Sequence, residues 1–215
     1  MSDRVLEIPS PFRTERLILR PLIPEDLDDM ASFHAREDVV RFLYWGPRSR
    51  EAVREALERK LPLTSMTQEG DSLAIAVVLN GAEGTRTGLI GDISLWWQSE
   101  EHRGAEIGYV FNPVFGGHGY ATEAVRAVVD LAFRDFGMHR VSGRADARNT
   151  ASTGLLRRLG MRQEAHLIQN EWVKGEWTDE VIFAILEDEW RAQNSSDLIT
   201  QTAPSAPPVP PPSLH

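Results

Sequence analysis

The sequence predicts a mixed α/β domain: a central, mostly antiparallel sheet with helices on both faces. Three observations lead there. Segments of strand character come first in hairpin order, from Ser72–Leu79 through Leu89–Trp97 to Arg103–Phe111. A glycine-rich loop, a long amphipathic helix and a return strand at Arg140–Ala145 then close a crossover. A second, capped helix leads into a last hairpin, Arg162–Gln169 with Glu180–Leu186. Hairpins are antiparallel, whereas a strand–helix–strand crossover sets one parallel pair in the sheet and a helix on its face.

Each element has a local reason. Arg16–Leu22 is read as a short strand. Pro24 suits the first position of a helix, and Glu25 and Asp26 follow in the turn where negative charge is favourable. That helix runs to about Ala35, with a short second piece to about Leu43. Ser49 is a suitable N-cap for the next helix, which turns Val53, Ala56, Leu57 and Leu61 inward until Pro62 ends or kinks it. Ser72–Leu79 is apolar almost throughout and pairs with Leu89–Trp97 across a loop at Gly81–Gly88. Trp96 and Trp97 are strand neighbours, so they face opposite sides. One is expected in the core; the other, with Tyr44 and Trp45, could line an acceptor groove, although core packing is the alternative for all four.

Ala105–Phe111 reads as the strand before the glycine loop. In Phe115-Gly116-Gly117-His118-Gly119-Tyr120-Ala121-Thr122-Glu123-Ala124, three glycines run straight into a helix whose apolar face is Val125, Val128, Val129, Ala132, Phe133 and Phe136. Glycines let backbone N–H groups approach a ligand, and a helix N-terminus adds partial positive charge, which together suit phosphate. No Gly-Lys-Ser/Thr follows, so the P-loop pattern fails; Thr122 stands where the dinucleotide fingerprint needs its third glycine. A turn that only joins two elements is the alternative.

Asn149 is a good N-cap for the second helix, Leu155, Leu156 and Leu159 form its buried stripe, and Gly160 ends it. The last hairpin turns around Lys174-Gly175-Glu176. The proline-rich stretch Ala203–Pro212 can form neither helix nor central strand and is expected as a disordered, polyproline-like tail. The expected division is therefore an N-terminal extension over 1–13, a domain over 14–191 and a tail over 192–215.

Composition bounds the function. A chain of 215 residues can bury one sizeable core. It has no cysteine, which excludes disulfides, thiolate metal sites and a cysteine nucleophile. The scattered His34, His102, His118, His139 and His166 lack ligand spacing, so no metal is expected. The formal charge of −9 argues against a nucleic-acid partner and favours a cationic one. No signal peptide or long apolar run appears, so a cytoplasmic protein without membrane association is expected.

The glycine loop, followed by Asn149-x-x-Ser152 and Leu159-Gly160-Met161, resembles the GNAT superfamily of N-acetyltransferases, and the opening Thr14-Glu15-Arg16-Leu17-Ile18-Leu19-Arg20-Pro21 resembles its RimJ/RimL-type branch, the ribosomal-protein N-terminal acetyltransferases. The likeness runs from about Thr14 to Trp190. It implies the GNAT fold and acetyl-CoA as cosubstrate. The amine acceptor would be a protein N-terminus, or alternatively an aminoglycoside or polyamine. A non-catalytic acyl-CoA-binding module is a further alternative, and a homodimer is compatible.

Acetyl transfer to an amine needs an anchored thioester, a neutral amine, a donor for the developing oxyanion and help for the departing thiolate. The loop residues Gly116, Gly117, His118, Gly119, Tyr120, Ala121 and Thr122 are the expected pyrophosphate cradle. The resemblance adds Val110 and Phe111 beside the pantetheine arm and Asn149 near it. Val114 replaces the family's usual Gln or Arg, which removes one side-chain contact. Glu106 is the expected general base, with a mere surface or Arg103-paired carboxylate as the alternative. Relatives often carry a tyrosine acid seven residues after the asparagine; here that position is Leu156, and the RimJ/RimL-type resemblance instead implies Ser152 as the hydroxyl donor, unless it and Asn149 only open the helix.

Overall fold

Residues 5–9, 12–81 and 88–201 are described by the computed structural model, the side chains as far as 194. The strands are β1 (Leu6–Glu7), β2 (Phe12–Arg13), β3 (Leu17–Pro21), β4 (Ser65–Met66) and β5 (Ser72–Leu79) in the first part of the chain. β6 (Leu89–Ser99), β7 (Gly104–Phe111), β8 (Arg140–Asp146), β9 (Arg162–Val173) and β10 (Glu176–Leu186) complete them. Eight form one sheet in the order β2-β3-β5-β6-β7-β8-β10-β9, and β1 pairs separately with β4. All neighbours in the large sheet are antiparallel except β7 and β8. That parallel pair follows from the crossover through α4 (Tyr120–Arg134), as the sequence predicts.

Helices cover both faces. On one, α4 buries Val125, Val128 and Ala132 against Ile93, Leu95 and Ile107 of the sheet. α5 (Thr150–Arg158) adds Leu155 and Leu156 to the same core. On the other, α1 (Leu27–His34) and α3 (Arg50–Lys60) lay Met30, Phe33, Val53 and Leu57 over Ala74, Ala76 and Val78 of β5. Each fully buried side chain of this size contributes about 1.5–3 kcal/mol. The helix ends are set by their caps. Ser49 Oγ accepts the Ala52 N–H at 3.2 Å, and Asn149 Oδ1 accepts the Ser152 N–H at 3.0 Å. Gly160 leaves α5 at φ 80°, where a Cβ is disfavoured.

Two stretches differ from expectation. Of the residues expected to form a peripheral extension, the described ones, 5–9 and 12–13, pack on the domain: Leu6 and Ile8 are buried, and β2 pairs with β3 through Phe12↔Leu19. Two-residue strands carry no periodicity, so nothing in the sequence marks them. The last hairpin is also longer than expected, because β9 and β10 continue to a tight turn at Lys174 (φ 51°) and Gly175 (φ 88°), the left-handed pair of a two-residue hairpin. A short helix, α2 (Glu37–Val40), precedes α3, and α6 (Glu187–Gln201) runs across the domain end placed at residue 191. Most of the Gly81–Gly88 loop and the 203–212 stretch lie outside the described residues.

Candidate active site

β7 and β8 are paired through only three residues, Gly104↔Arg140 to Glu106↔Ser142, and then part. Leu156 fills the start of the gap: a Cβ on Gly143 would lie 2.9 Å from its Cδ2. Beyond it opens a cleft of about 890 Å³. Its lining includes Tyr109, Ala121 and Ser152 from the α4–α5 side and Asp92, Trp96 and Glu106 from the α1–α3 side, so it passes through the sheet.

The glycine loop stands at one mouth. Asn112 Oδ1 accepts the Val114 N–H at 3.1 Å and shapes the turn that precedes it. Gly117 and Gly119 have φ 81° and 80°, and Gly119 serves as N-cap of α4 without a side chain. The first bond of the α4 ladder is Glu123 N–H to Gly119 O at 3.0 Å. The N–H groups of Tyr120, Ala121 and Thr122 precede that bond, at the positive end of the helix. The loop is tied to β3. Arg16 donates to His118 O at 2.9 Å and to the Glu123 carboxylate, and Thr14 Oγ1 donates to Glu123 at 2.6 Å. His118 stacks on Tyr120, and Val114 is exposed.

Val110 and Phe111 end β7 on the side where it has left β8, and both line the cleft. The Phe111 ring lies across Gly91, where a Cβ would collide with it. Four residues earlier on the strand, Glu106 is half-buried and lines the cleft. Burial pushes its carboxyl up, Arg144 partly offsets this, and Glu180 reinforces it. No side chain among the described residues pairs with Glu106. Arg144 itself is held by Glu180, with Nε–Oε1 at 2.8 Å and Nη2–Oε2 at 2.5 Å.

Ser152 and Asn149 open α5. Asn149 Oδ1 is engaged in the cap, so its oxygen is occupied. The Ser152 hydroxyl is 2.9 Å from Tyr109 Oη, which also donates to Ser152 O at 3.2 Å. Burial pushes the Tyr109 phenol up to about 12, more than its hydrogen bond to Ser152 and the charge of Arg158 pull it down. Leu156, at the family's tyrosine position, is core.

The α1–α3 end of the cleft holds groups that sequence reasoning did not single out together. Asp92 on β6 is buried and carries the Lys60 ammonium on Oδ1. Burial alone would raise Asp92, but the Lys60 charge and the nearby His34 hold it at about 2. His34, also buried, lies 3.5 Å from Asp92 Oδ2 and packs under the Trp45 ring at 4.7 Å. The Arg48 guanidinium also lies over Trp45, 3.8 Å from the ring centroid. Across the mouth, Lys174 in the β9–β10 turn donates to Val40 O at 2.6 Å and Arg41 O at 3.3 Å, bridging the hairpin to the end of α2. Trp97 is core, whereas the Trp96 ring lies over Gly108 in the cleft. No group of three or more potential metal ligands occurs among the described residues, and no described helix is long and apolar enough to cross a membrane.

The chain is similar along most of its length to proteins of one kind. An uncharacterized N-acetyltransferase, YnaD, of Bacillus subtilis is 28% identical over 82% of this chain and 97% of its own. The spermidine N(1)-acetyltransferase of Escherichia coli is 24% identical over 87% of this chain and 95% of its own. The crystal structure of a GNAT-family acetyltransferase from Bacillus anthracis superposes with a TM-score of 0.72 at 28% identity, covering 82% of this chain and 98% of that one. A family profile described as an acetyltransferase (GNAT) domain matches residues 16–162. With that match spanning the glycine loop, the parted strands and the capped α5, the chain belongs to the GNAT acetyltransferases.

Proposed function

We propose that this acetyltransferase moves an acetyl group from acetyl-CoA to a primary amine, the α-amine of a protein N-terminus in the manner of the RimJ/RimL branch. The observation that carries the reading is the content of one through-going cleft: a glycine loop running into a helix N-terminus at one mouth and a carboxylate without an ion pair, Glu106, further in. A glycine loop at a helix N-terminus suits a pyrophosphate, and a half-buried carboxylate with a raised pKa suits an amine proton. Acetyl-CoA supplies the activated thioester.

The loop from Gly116 to Thr122 orients it, with Val110 and Phe111 beside its arm. Glu106 takes a proton from the acceptor nitrogen, directly or through water. The nitrogen then attacks the thioester carbonyl carbon, so that the carbon–nitrogen bond forms as the carbon–sulfur bond breaks and its electron pair goes to sulfur, and the Ser152 hydroxyl donates to the departing thiolate. Tyr109 holds this hydroxyl in place, at 2.9 Å. A phenol near 12 stays protonated at working pH, so it donates a hydrogen bond and does not ionise.

A polyamine acceptor is the second reading, favoured by the similarity to the spermidine N(1)-acetyltransferase. The test is free-thiol release from acetyl-CoA with a panel of N-terminal peptides and small amines. Turnover of peptides supports the first reading and turnover of spermidine alone the second. Binding of acetyl-CoA without any turnover overturns both.

A further inference from the structure

The charges lining the cleft are mostly neutralised where they stand. Lys60 lies on Asp92, Arg144 on Glu180, and Arg148 on Asp146. The remaining acids at the rim are also engaged: Glu171 has Arg144, Asp38 has Arg36, and Asp179 Oδ2 lies 2.9 Å from His166 Nε2. Among the described residues, three charged side chains of the lining form no ion pair: Glu106, Arg158 and Arg48. Arg158 stands by the glycine loop, donating to Thr122 Oγ1 at 3.3 Å, where phosphate is expected. Glu106 is accounted for by the amine. Arg48 is accounted for by nothing so far.

Arg48 is also held in a receptive geometry. Its guanidinium carbon lies over Trp45, 3.8 Å from the ring centroid, and the group donates no hydrogen bond among the described residues. The contact with the ring uses none of its N–H groups as hydrogen-bond donors, and these are the groups that grip a carboxylate or phosphate in two-pronged fashion. Burial lowers its pKa, Arg59 adds repulsion, and Asp92, already neutralised by Lys60, opposes only weakly. A counter-anion would relieve all of this. Through Trp45 and His34, Arg48 reaches the cleft at the level of Asp92. Asp92 pairs with Val110 on β7, and Trp96 pairs with Glu106. Four residue steps separate these levels, roughly 10–15 Å along the strand.

We infer that the acceptor carries an anionic carboxylate or phosphate some three or four extended residues from its amine, and that Arg48 binds it. This rests on the amine-acetylating function proposed above and narrows it: the N-terminus taken has an acidic or phosphorylated side chain near its third or fourth residue. A polyamine would instead set a second ammonium against Arg48.

The test uses the full chain with acetyl-CoA and matched tetrapeptide amides carrying Glu, phosphoserine, Gln or Lys at position three or four, with 6-aminohexanoate and spermidine as small-molecule arms. Wild type is expected to favour Glu or phosphoserine over Lys by about 10-fold or more in kcat/KM. Arg48→Gln should flatten the series and Arg48→Glu should invert it, with unchanged melting temperature. Comparison of Glu with phosphoserine separates carboxylate from phosphate, and comparison of peptides with 6-aminohexanoate separates peptide from small acceptor. A flat series in wild type, a preference for Lys or spermidine, or an Arg48→Glu variant with wild-type order overturns the inference while leaving acetyl transfer intact. If no acceptor is turned over, the function falls. Calorimetry of the same peptides on the coenzyme A-loaded protein then decides the inference: Arg48-dependent binding of the acidic peptide upholds it, and equal binding of all peptides overturns it.

Discussion

The Glu123 carboxylate, in the first turn of α4, is clasped by Arg16 from the start of β3 through its backbone N–H at 3.0 Å and its Nε at 2.7 Å. Residues 107 positions apart thus fix the angle at which the glycine loop presents its amides. The contacts to Arg16 and Thr14 hold Glu123 below the usual carboxylate range despite its partial burial. Glu123→Ala is expected to lower acetyl-CoA affinity about 10-fold by loosening the loop, while melting falls by only a few degrees, because Arg16 is partly exposed. Calorimetry and a thermal melt on one preparation check both.

Gly119→Glu places a side chain at φ 80° and a negative charge at the N-terminus of α4. A non-glycine residue in the left-handed region costs about 1–2 kcal/mol locally. The helix survives, and acetyl-CoA binding is expected to be lost. Unchanged affinity in the folded variant removes the loop as the phosphate cradle.

Glu106→Gln is expected to lower turnover by about 10²–10⁴-fold with acetyl-CoA affinity retained. The sign of the pH effect follows from burial. Glu106 must be ionised to accept a proton, and its pKa is raised. The wild-type rate therefore falls as pH drops through a value above the ordinary carboxylate range, and the variant lacks that limb. A pH–rate profile in which both proteins share the acid limb assigns it to another group.

Tyr109→Phe and Ser152→Ala should each lower the maximal rate by about 10-fold and leave acetyl-CoA affinity within a few-fold. Their effects should not add, because the phenol acts through the serine hydroxyl. Single-turnover rates of the two variants and the double variant complete the cycle. Additive losses mean that the two hydroxyls work separately.

Lys60→Met leaves the Asp92 carboxylate buried without its cation and is expected to cost about 3–5 kcal/mol. In wild type the depressed Asp92 contributes stability above the ordinary aspartate pKa of about 3.9, and this is lost as pH falls toward about 2. In the variant Asp92 prefers its proton, so stability falls as pH rises instead. Denaturant melts at pH 4 and pH 7 should show a gap between the proteins that narrows in acid.

Much of this architecture is written locally. The helical period of Val125, Val128 and Ala132 predicts the buried face of α4, and Asn149 predicts the start of α5, because both signals lie within one or two turns of chain. Gly119 is likewise identifiable from its place before a helix. The pairs that complete the cleft are not local. Arg144 meets Glu180 from 36 residues away, and Tyr109 reaches Ser152 across the gap where β7 leaves β8. The stack of Arg48, Trp45 and His34 sits in connecting chain and at a helix end, where no period exists to read. The far end of β9, beyond Gln169, escaped for a different reason: Ile168 and Trp172 are apolar yet exposed, so alternation of residue type does not follow burial there.

The parting of β7 and β8 also constrains the order of events. A passage open on both faces of a sheet lets two molecules meet inside it without sharing a doorway, one by Tyr109 and Ser152 and the other by Trp96 and Glu106. Neither has to depart before the other arrives, and the chain has no cysteine to carry the acyl group between visits. Double-reciprocal plots of initial rate should therefore intersect at every fixed concentration of the second substrate, the pattern of a ternary complex. Parallel lines would require an acylated enzyme for which this passage offers no need.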